Sequence, residues 1–513
     1  MISLLLALLL AQEAPVPTSY DDLLAQGLAL GREGKLQEAS EALSRAIALD
    51  PRRPEAYVER GGLRFLEKKY DAAVVDLETS LDLREDPYTR DLLASSLHLA
   101  GRSDDALARW NALGQPRVDT LTISGLTHTK DRIVRREVSL AEGDLLDLDE
   151  LRASRARLRE VGVFDRVTLR PIPKGEGKAD LEVALAERHG IFATPADFVV
   201  STAVNALDRR FRLRYSNLAG RGINFGGQYR WQDSRPEVSL FLDWARPLGL
   251  PAYLHILSFR GRQLYDLEGE SLTRRSRGVD LSMRHVFGAR SVGQIGMRLR
   301  DRTFSGRGPA AAPGAVVGLE AGVERPLVDA YRHRLDGSLR GFTAIRGLGS
   351  DLAYGTGQAS LGYRAHLSRP DGTAIEPSVL ALRVLWGGQT IKTPLDEMFA
   401  PGGSHDMEFP LRAHRQLRRG VLGITPIGRS LVLGNLEWRP RFFDRTAGQA
   451  GFVIFLDTGR VANSIVGRRS QAFADVGLGL RVAFRGSPVI RLDFGHGLSD
   501  GKNALFIGLG QVF

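Results

Sequence analysis

The chain has no cysteine among its 513 residues. That excludes disulfides, thiolate metal sites and cysteine nucleophiles. It also lacks any run of about 18 consecutive apolar residues after the N-terminus, so no transmembrane helix is expected. A membrane β-barrel stays open, because its strands alternate apolar and polar residues and escape a hydropathy window. The net charge of +10 is carried mostly by arginine, but no block of like charge and no Lys/Arg-rich tail occurs. The arginines are spread through alternating segments, which argues against a nucleic-acid partner. No H-E-x-x-H and no Walker A sequence is present. "GLSDG" at Gly497–Gly501 fits G-x-S-x-G, but strand patterns flank it on both sides. A nucleophile elbow needs a helix after the serine, so "SDG" reads as a hairpin turn. His405 and His414 stand nine apart within a loop, which is not metal-ligand spacing. No catalytic residue, metal or cofactor is expected, and the chain is not expected to be an enzyme.

Four regions follow one another. Residues 1–14 hold an apolar run, Ile2 to Ala11, followed by polar "QEAPVPTSYDD". The run is too short to span a membrane and has the length of a secretory signal peptide. Residues 20–114 are helical and repetitive. Gly27 recurs as Gly61, Ala39 as Ala73 and Leu43 as Leu77, each at an offset of 34 residues. That is the tetratricopeptide period. A third, shorter unit places Ala106 near the next repeat. Such a stack is expected to offer a concave face to a peptide or partner, or to serve as a spacer for the domain that follows.

Residues 117–188 read in the order β-α-α-β-β. "RVDTLTISGLT" alternates and turns at Gly125, while Ile133, Val134, Val138, Leu151, Leu158 and Val161 have helical spacing. The region resembles a single POTRA domain, the periplasmic module of outer-membrane assembly proteins. The resemblance rests on Ile123-x-Gly125, Glu142–Asp144, the pattern L-x-x-x-G-x-F-D-x-V at Leu158–Val167, and V-x-L-x-E-R at Val183–Arg188. It implies an exposed sheet edge able to accept an extended client strand.

Residues 190–513 run for more than 300 positions without a convincing helix. They break into segments of about ten alternating residues separated by Gly, Pro, Asp and Asn. Counting "ADFVVSTAV" at 196–204 as the first gives about sixteen strands, a number suited to an outer-membrane barrel with Arg and Glu lining a polar lumen. The expected fold is therefore multi-domain: all-α tetratricopeptide repeats, an α+β POTRA domain and a C-terminal 16-stranded antiparallel transmembrane β-barrel. Phe513 completes the last alternating segment, as the aromatic insertion signal of such barrels does.

Residues 117–513 resemble the BamA/TamA-type outer-membrane assembly-factor superfamily. The matching motifs are "FAPGGS" at Phe399–Ser404, "GNLEWR" at Gly434–Arg439, "FLDTG" at Phe455–Gly459, "DVGLGLR" at Asp475–Arg481 and "PVIRLDFG" at Pro488–Gly495. The resemblance implies a long loop that opens with Gly402-Gly403, folds into the lumen and pairs an arginine with an acidic strand. The arginine is Arg412, in "RAH", or Arg419, followed by Gly420. Its implied surroundings are Glu437, Asp457 and Gly459. The implied function is assembly, insertion or translocation of client proteins at the outer membrane, with the N-terminal domains in the periplasm. A secretion or lipid-export pore of the same superfamily, and a non-membrane binding scaffold, are the alternatives. The expected partners are the lipid bilayer and client outer-membrane or secreted proteins.

Overall fold

A computed structural model of the chain describes residues 19–513 apart from 189, 193, 289, 307, 371–372, 404–407, 424, 467–469 and 485–486. The expected signal peptide and His405 lie outside the described residues. The chain divides into two compact units, one made of 1–122, 140–148 and 170–182 and the other of the remainder.

The first unit opens with three helix pairs: α1 (Tyr20–Arg32) with α2 (Leu36–Leu49), α3 (Glu55–Leu66) with α4 (Tyr70–Leu83), and α5 (Pro87–Leu99) with α6 (Ser103–Asn111). The first two pairs can pack closely because a glycine stands where a side chain would collide. A Cβ on Gly27 would meet Leu43 Cγ at 2.7 Å, and one on Gly61 would meet Leu77 Cγ at 2.8 Å. The same contact thus recurs with the spacing of the sequence repeat. Capping is local: the Ser19 hydroxyl accepts from Asp22 N–H, and the Asp86 carboxylate accepts from Thr89 N–H.

The α+β region contains β1 (Arg117–Ser124), α7 (Asp131–Glu137), α8 (Leu148–Glu160), β2 (Phe164–Gly175) and β3 (Lys178–Glu187), in the sheet order β1-β3-β2. Gly125 has φ +82°, and a Cβ there would come within 1.9 Å of the Leu185 carbonyl, so only glycine fits. The nearby carboxylate of Glu187 accepts from Thr127 N–H, His128 N–H and Thr129 N–H and from the Thr127 hydroxyl. The second unit holds both α7 and the barrel, and the two touch within it. Glu137 is buried and accepts from Arg246 Nε at 2.6 Å and from the Tyr253 hydroxyl at 2.7 Å.

The barrel begins with a difference from the sequence reading. The segment expected as its first strand is a helix, α9 (Pro195–Leu207). The Thr194 hydroxyl accepts from Asp197 N–H at its N-terminus, and Pro195 opens its first turn. These end signals outweigh the β-propensity of Phe198, Val199 and Val200. The helix buries Asp197, Val200 and Val204 along one stripe. The strands that follow are β4 (Arg210–Tyr215), β5 (Ile223–Arg230), β6 (Glu237–Ala245), β7 (Tyr253–Leu267), β8 (Glu270–Phe287), β9 (Ser291–Ser305), β10 (Gly314–Asp329), β11 (His333–Ala344), β12 (Tyr354–His366) and β13 (Ser378–Gln389). A long loop holds the two-residue strands β14 (Leu417–Arg418) and β15 (Val421–Leu422). The wall resumes with β16 (Ile427–Arg445), β17 (Gly448–Val466), β18 (Ser470–Phe484), β19 (Ile490–Gly497) and β20 (Asn503–Leu509).

Antiparallel registers zip the wall from β4 to β13, across to β16, and on to β20. The strand order runs on from β20 to β4 and closes the barrel, but among the described residues no residue register joins these two strands, and α9 packs against both. Among the described residues fifteen strands make the wall, ten before the loop and five after. Fifteen alternating strands would leave the first and last parallel. The α9 segment therefore stands where a sixteenth, antiparallel strand would close the ring. Alternation sorts the two faces. Leu240, Ile295, Leu319 and Leu339 are exposed on the outside. Inside, Arg298 pairs with Glu320 and Arg300 with Asp280.

The Glu187 clip has a pH signature. Burial would raise its carboxyl, but the hydrogen bonds from Thr129 and Thr127 outweigh this and hold it at about 2. A depressed carboxyl stabilises the fold above its unfolded value of about 4.3, and the contribution is lost as pH falls through about 2. Glu187→Gln is expected to speed amide exchange at Thr127–Thr129 at neutral pH and to remove its acid dependence, as read by hydrogen exchange followed by mass spectrometry.

Candidate functional site

The site is the loop between β13 and β16, which lies inside the barrel. Its base is a two-bond bridge: Phe399 N–H donates to the Gly428 carbonyl and Gly428 N–H to that of Phe399. Phe399, Phe409 and Leu411 then pack with Leu385, Leu431, Leu433, Val461 and Phe473 of the wall. A Cβ on Gly387 would lie 2.3 Å from the Phe399 ring, so β13 makes room for it. The apolar patch seats the loop, and polar residues orient it.

Gly402 and Gly403 turn the chain back on itself. Gly402 has φ +153°, and a Cβ there would sit 2.8 Å from Gln416 N. Gly403 accepts from Gln416 N–H and donates to the His414 carbonyl. A Cβ on Gly403 would meet the Phe506 ring at 2.3 Å. The glycine pair thus lets two backbone segments and β20 approach closely.

Arg412 is the arginine that reaches Asp457. Its Nε lies 2.8 Å from Asp457 Oδ2 and its Nη2 2.7 Å from Oδ1, a bidentate fork. Its backbone N–H donates to the same carboxylate, and its Nη1 binds Glu437. The Phe455 ring lies 3.5 Å beneath the guanidinium carbon. Arg412, Glu437 and Asp457 are all fully buried, at 0% exposure. Asn435 donates to Asp457 at 2.8 Å and to the Pro410 carbonyl at 3.1 Å, tying the strand to the loop backbone. Gly459 leaves the space occupied by Leu411, to which a Cβ would approach within 3.2 Å. Burial opposes charge on Arg412, but Asp457 and Glu437 more than reverse this and raise its pKa.

The pairing continues to the last residue. Arg439 donates to Glu437 at 2.6 Å and to the Phe513 backbone oxygen at 2.8 Å, and its guanidinium lies over the Phe513 ring. Arg419 is exposed, with φ +52°, and does not join this cluster. Its carbonyl accepts from the Ser234 hydroxyl. Gly420 has φ +82°, and a Cβ there would meet Ser234 Oγ.

The sequence motifs did not reveal a second clamp at the start of the loop. Asp396 accepts from Arg302 at 2.6 Å and from Arg274 at 3.1 Å, and Glu397 accepts from Arg300 at 3.0 Å. The available signal was the alternating "RLRDR" of β9, whose arginines needed acidic partners inside a barrel. Those partners lie some 95 residues away in "LDE" at Leu395–Glu397. "GLSDG" forms the β19–β20 turn, and its Asp500 binds His414.

Arg412→Ala would leave the buried Asp457 without a counter-charge and Glu437 with Arg439 alone. The expected cost is about 3–5 kcal/mol, seen as loss of the heat-resistant folded band on unheated gels. Arg412→Lys should recover only part, because an ammonium cannot fork. Gly495→Ala should behave like Arg412→Ala, since its Cβ would lie 2.3 Å from the Arg412 carbonyl. Arg419→Ala should leave the band intact.

Three comparisons bear on this arrangement. Residues 116–188 match the POTRA family model, described as "Surface antigen variable number repeat". Over 72 residues, 14% of the chain, the sequence is 38% identical to the outer membrane protein assembly factor BamA of Neorickettsia risticii. That match spans 10% of the relative's length. Among solved structures, CdiB from Escherichia coli is similar with a TM-score of 0.53 at 13% identity, over 77% of this chain and 75% of that one. At that identity the likeness concerns the fold. Residues 116–188 are a POTRA domain, and the barrel that follows it shares its fold with CdiB.

Proposed function

We propose that the protein assembles or translocates other proteins at the bacterial outer membrane. The barrel spans the membrane, and the POTRA domain and helix pairs face the periplasm. The helix pairs act as tetratricopeptide repeats that take a partner or hold the POTRA domain at a distance. Clients are extended chains, received by strand addition at an exposed sheet edge. Residues Gly402, Gly403, Arg412, Glu437, Asp457 and Gly459 work as a lumenal lock on the loop, and Phe513 serves as the insertion signal. No covalent chemistry or cofactor is needed, and the protein is not an enzyme.

The observation that carries this reading is a seam without a residue register in a barrel whose interior holds a fixed loop. A guanidinium locked at 0% exposure, with an apolar patch beside it, holds the loop against the inner wall. The seam between β20 and β4, by contrast, has no residue register among the described residues and is flanked by α9. A protein built this way acts at its wall. A conducting pore or export channel would need the loop removed.

Depletion of the protein followed by outer-membrane proteomics tests the reading. Loss of a set of barrel or secreted proteins is expected, and an unchanged profile would sink it. Single-channel recordings test the plug: the whole protein should conduct little, and deletion of residues 399–423 should open a stable large conductance.

A further inference from the structure

The loop does more than fill the lumen, because it fastens to both sides of the seam. On the C-terminal side, Ala413 N–H donates to Asp475 of β18 at 2.7 Å. His414 Nδ1 lies 2.9 Å from an Asp475 oxygen, and His414 Nε2 lies 3.1 Å from Asp500 in the β19–β20 turn. Arg415 stands over the Phe506 ring of β20. A few residues on, the chain has reached the opposite side. Ser234, in the β5–β6 turn, donates to the Arg419 carbonyl, and Gln263 of β7 donates to that of Gly420 at 2.9 Å. Leu422 pairs with Tyr265 of β7. The seam without a residue register lies between these two sets of contacts.

We propose that Ala413–Leu422 is a strap drawn across the seam, and that His414, gripped between Asp475 and Asp500, is its releasable fastening on the β20 side. The chemistry follows from the imidazole. Serving two carboxylates at once takes an N–H on each nitrogen, which only the imidazolium has. A neutral ring keeps one donor and turns a lone pair toward the other carboxylate.

The ring is 1% exposed and lies edge-on to Phe473, so the imidazole itself is screened from water. The charged groups that face it are Asp475 from β18 and Asp500 from the hairpin turn, and Lys502 shares Asp500 at 2.9 Å. On its own segment, Arg412 is turned toward Asp457 and Glu437. Burial opposes the charge, but the two carboxylates prevail and raise the pKa of His414. The strap is therefore fastened at low pH and loosens as pH rises through that raised value.

The inference rests on the proposed function only for the purpose of opening a seam, and its test uses no client. The chain has no cysteine, so Asp233→Cys in the β5–β6 turn and Ser499→Cys in the β19–β20 turn give two unique sites for spin labels. Distance distributions across the seam are measured on the full-length protein in liposomes between about pH 6 and pH 9. A narrow distribution at low pH that broadens on raising the pH is expected. Asp500→Asn should move the transition down by about one pH unit. His414→Gln should be broad and pH-independent while keeping the heat-resistant band that reports the Arg412 lock. Wild-type distances that ignore pH, or a pH response that survives His414→Gln, would overturn the strap. A strap that titrates as described in a protein whose depletion leaves the outer-membrane profile unchanged would sink the assembly reading alone.

Discussion

A fully buried guanidinium is tolerated only where its charge and its donors are met, and much of the barrel interior is arranged around that requirement at Arg412. Taking such a charge out of water costs several kcal/mol. Asp457 offers a matched fork, Glu437 takes the remaining donor, and Phe455 covers one face. Each partner sits on a different element or register, so satisfying Arg412 fixes where the loop, β16 and β17 stand relative to one another. Breaking a buried pair is far costlier than an exposed one, because the survivor is left unpaired. The cluster therefore sets position more than it adds net stability.

The surrounding glycines are the steric counterpart of this electrostatic constraint. Gly495 admits the Arg412 backbone, Gly403 admits the Phe506 ring, and Gly387 admits Phe399. Strand glycines usually weaken a sheet. Here they let a loop backbone approach the wall closely enough for short hydrogen bonds. The Asp396 clamp repeats the logic at the other end of the loop, where Arg302 is 2% exposed and needs its carboxylate.

The tension in the design is between this fixed interior and the incomplete wall. Fifteen zipped strands and a helix leave strand edges beside the seam, and edges are expensive in a membrane. Helix α9 leaves Phe198, Val199 and Leu207 exposed. The loop crosses this weak place, bound on one side to β18 and the β19–β20 turn and on the other to β5–β7. A rigid anchor at Arg412 next to a titratable contact at His414 separates what must stay from what can let go.

Much was legible in the sequence, for physical reasons. The 34-residue spacing of Gly27 and Gly61 shows as the same glycine-on-leucine contact, because helix packing depends on local side-chain volume. The POTRA motif at Ile123-x-Gly125 was readable because φ +82° admits little but glycine. Strand alternation was readable because its period is two residues and one face meets apolar surroundings. Three features were decided by tertiary structure. Arg412 and Arg419 are equally cationic, and only the path of the loop takes one into the lumen and the other to the surface. The α9 segment has strand-like residues, but capping at Thr194 and Pro195, with a place open between β4 and β20, made it a helix. Asp396 and Asp500 carried no motif, since their partners lie some 95 and 86 residues away in sequence. Short-range sterics can be read along a chain. Long-range charge pairing in a closed lumen is set only when the wall brings the partners together.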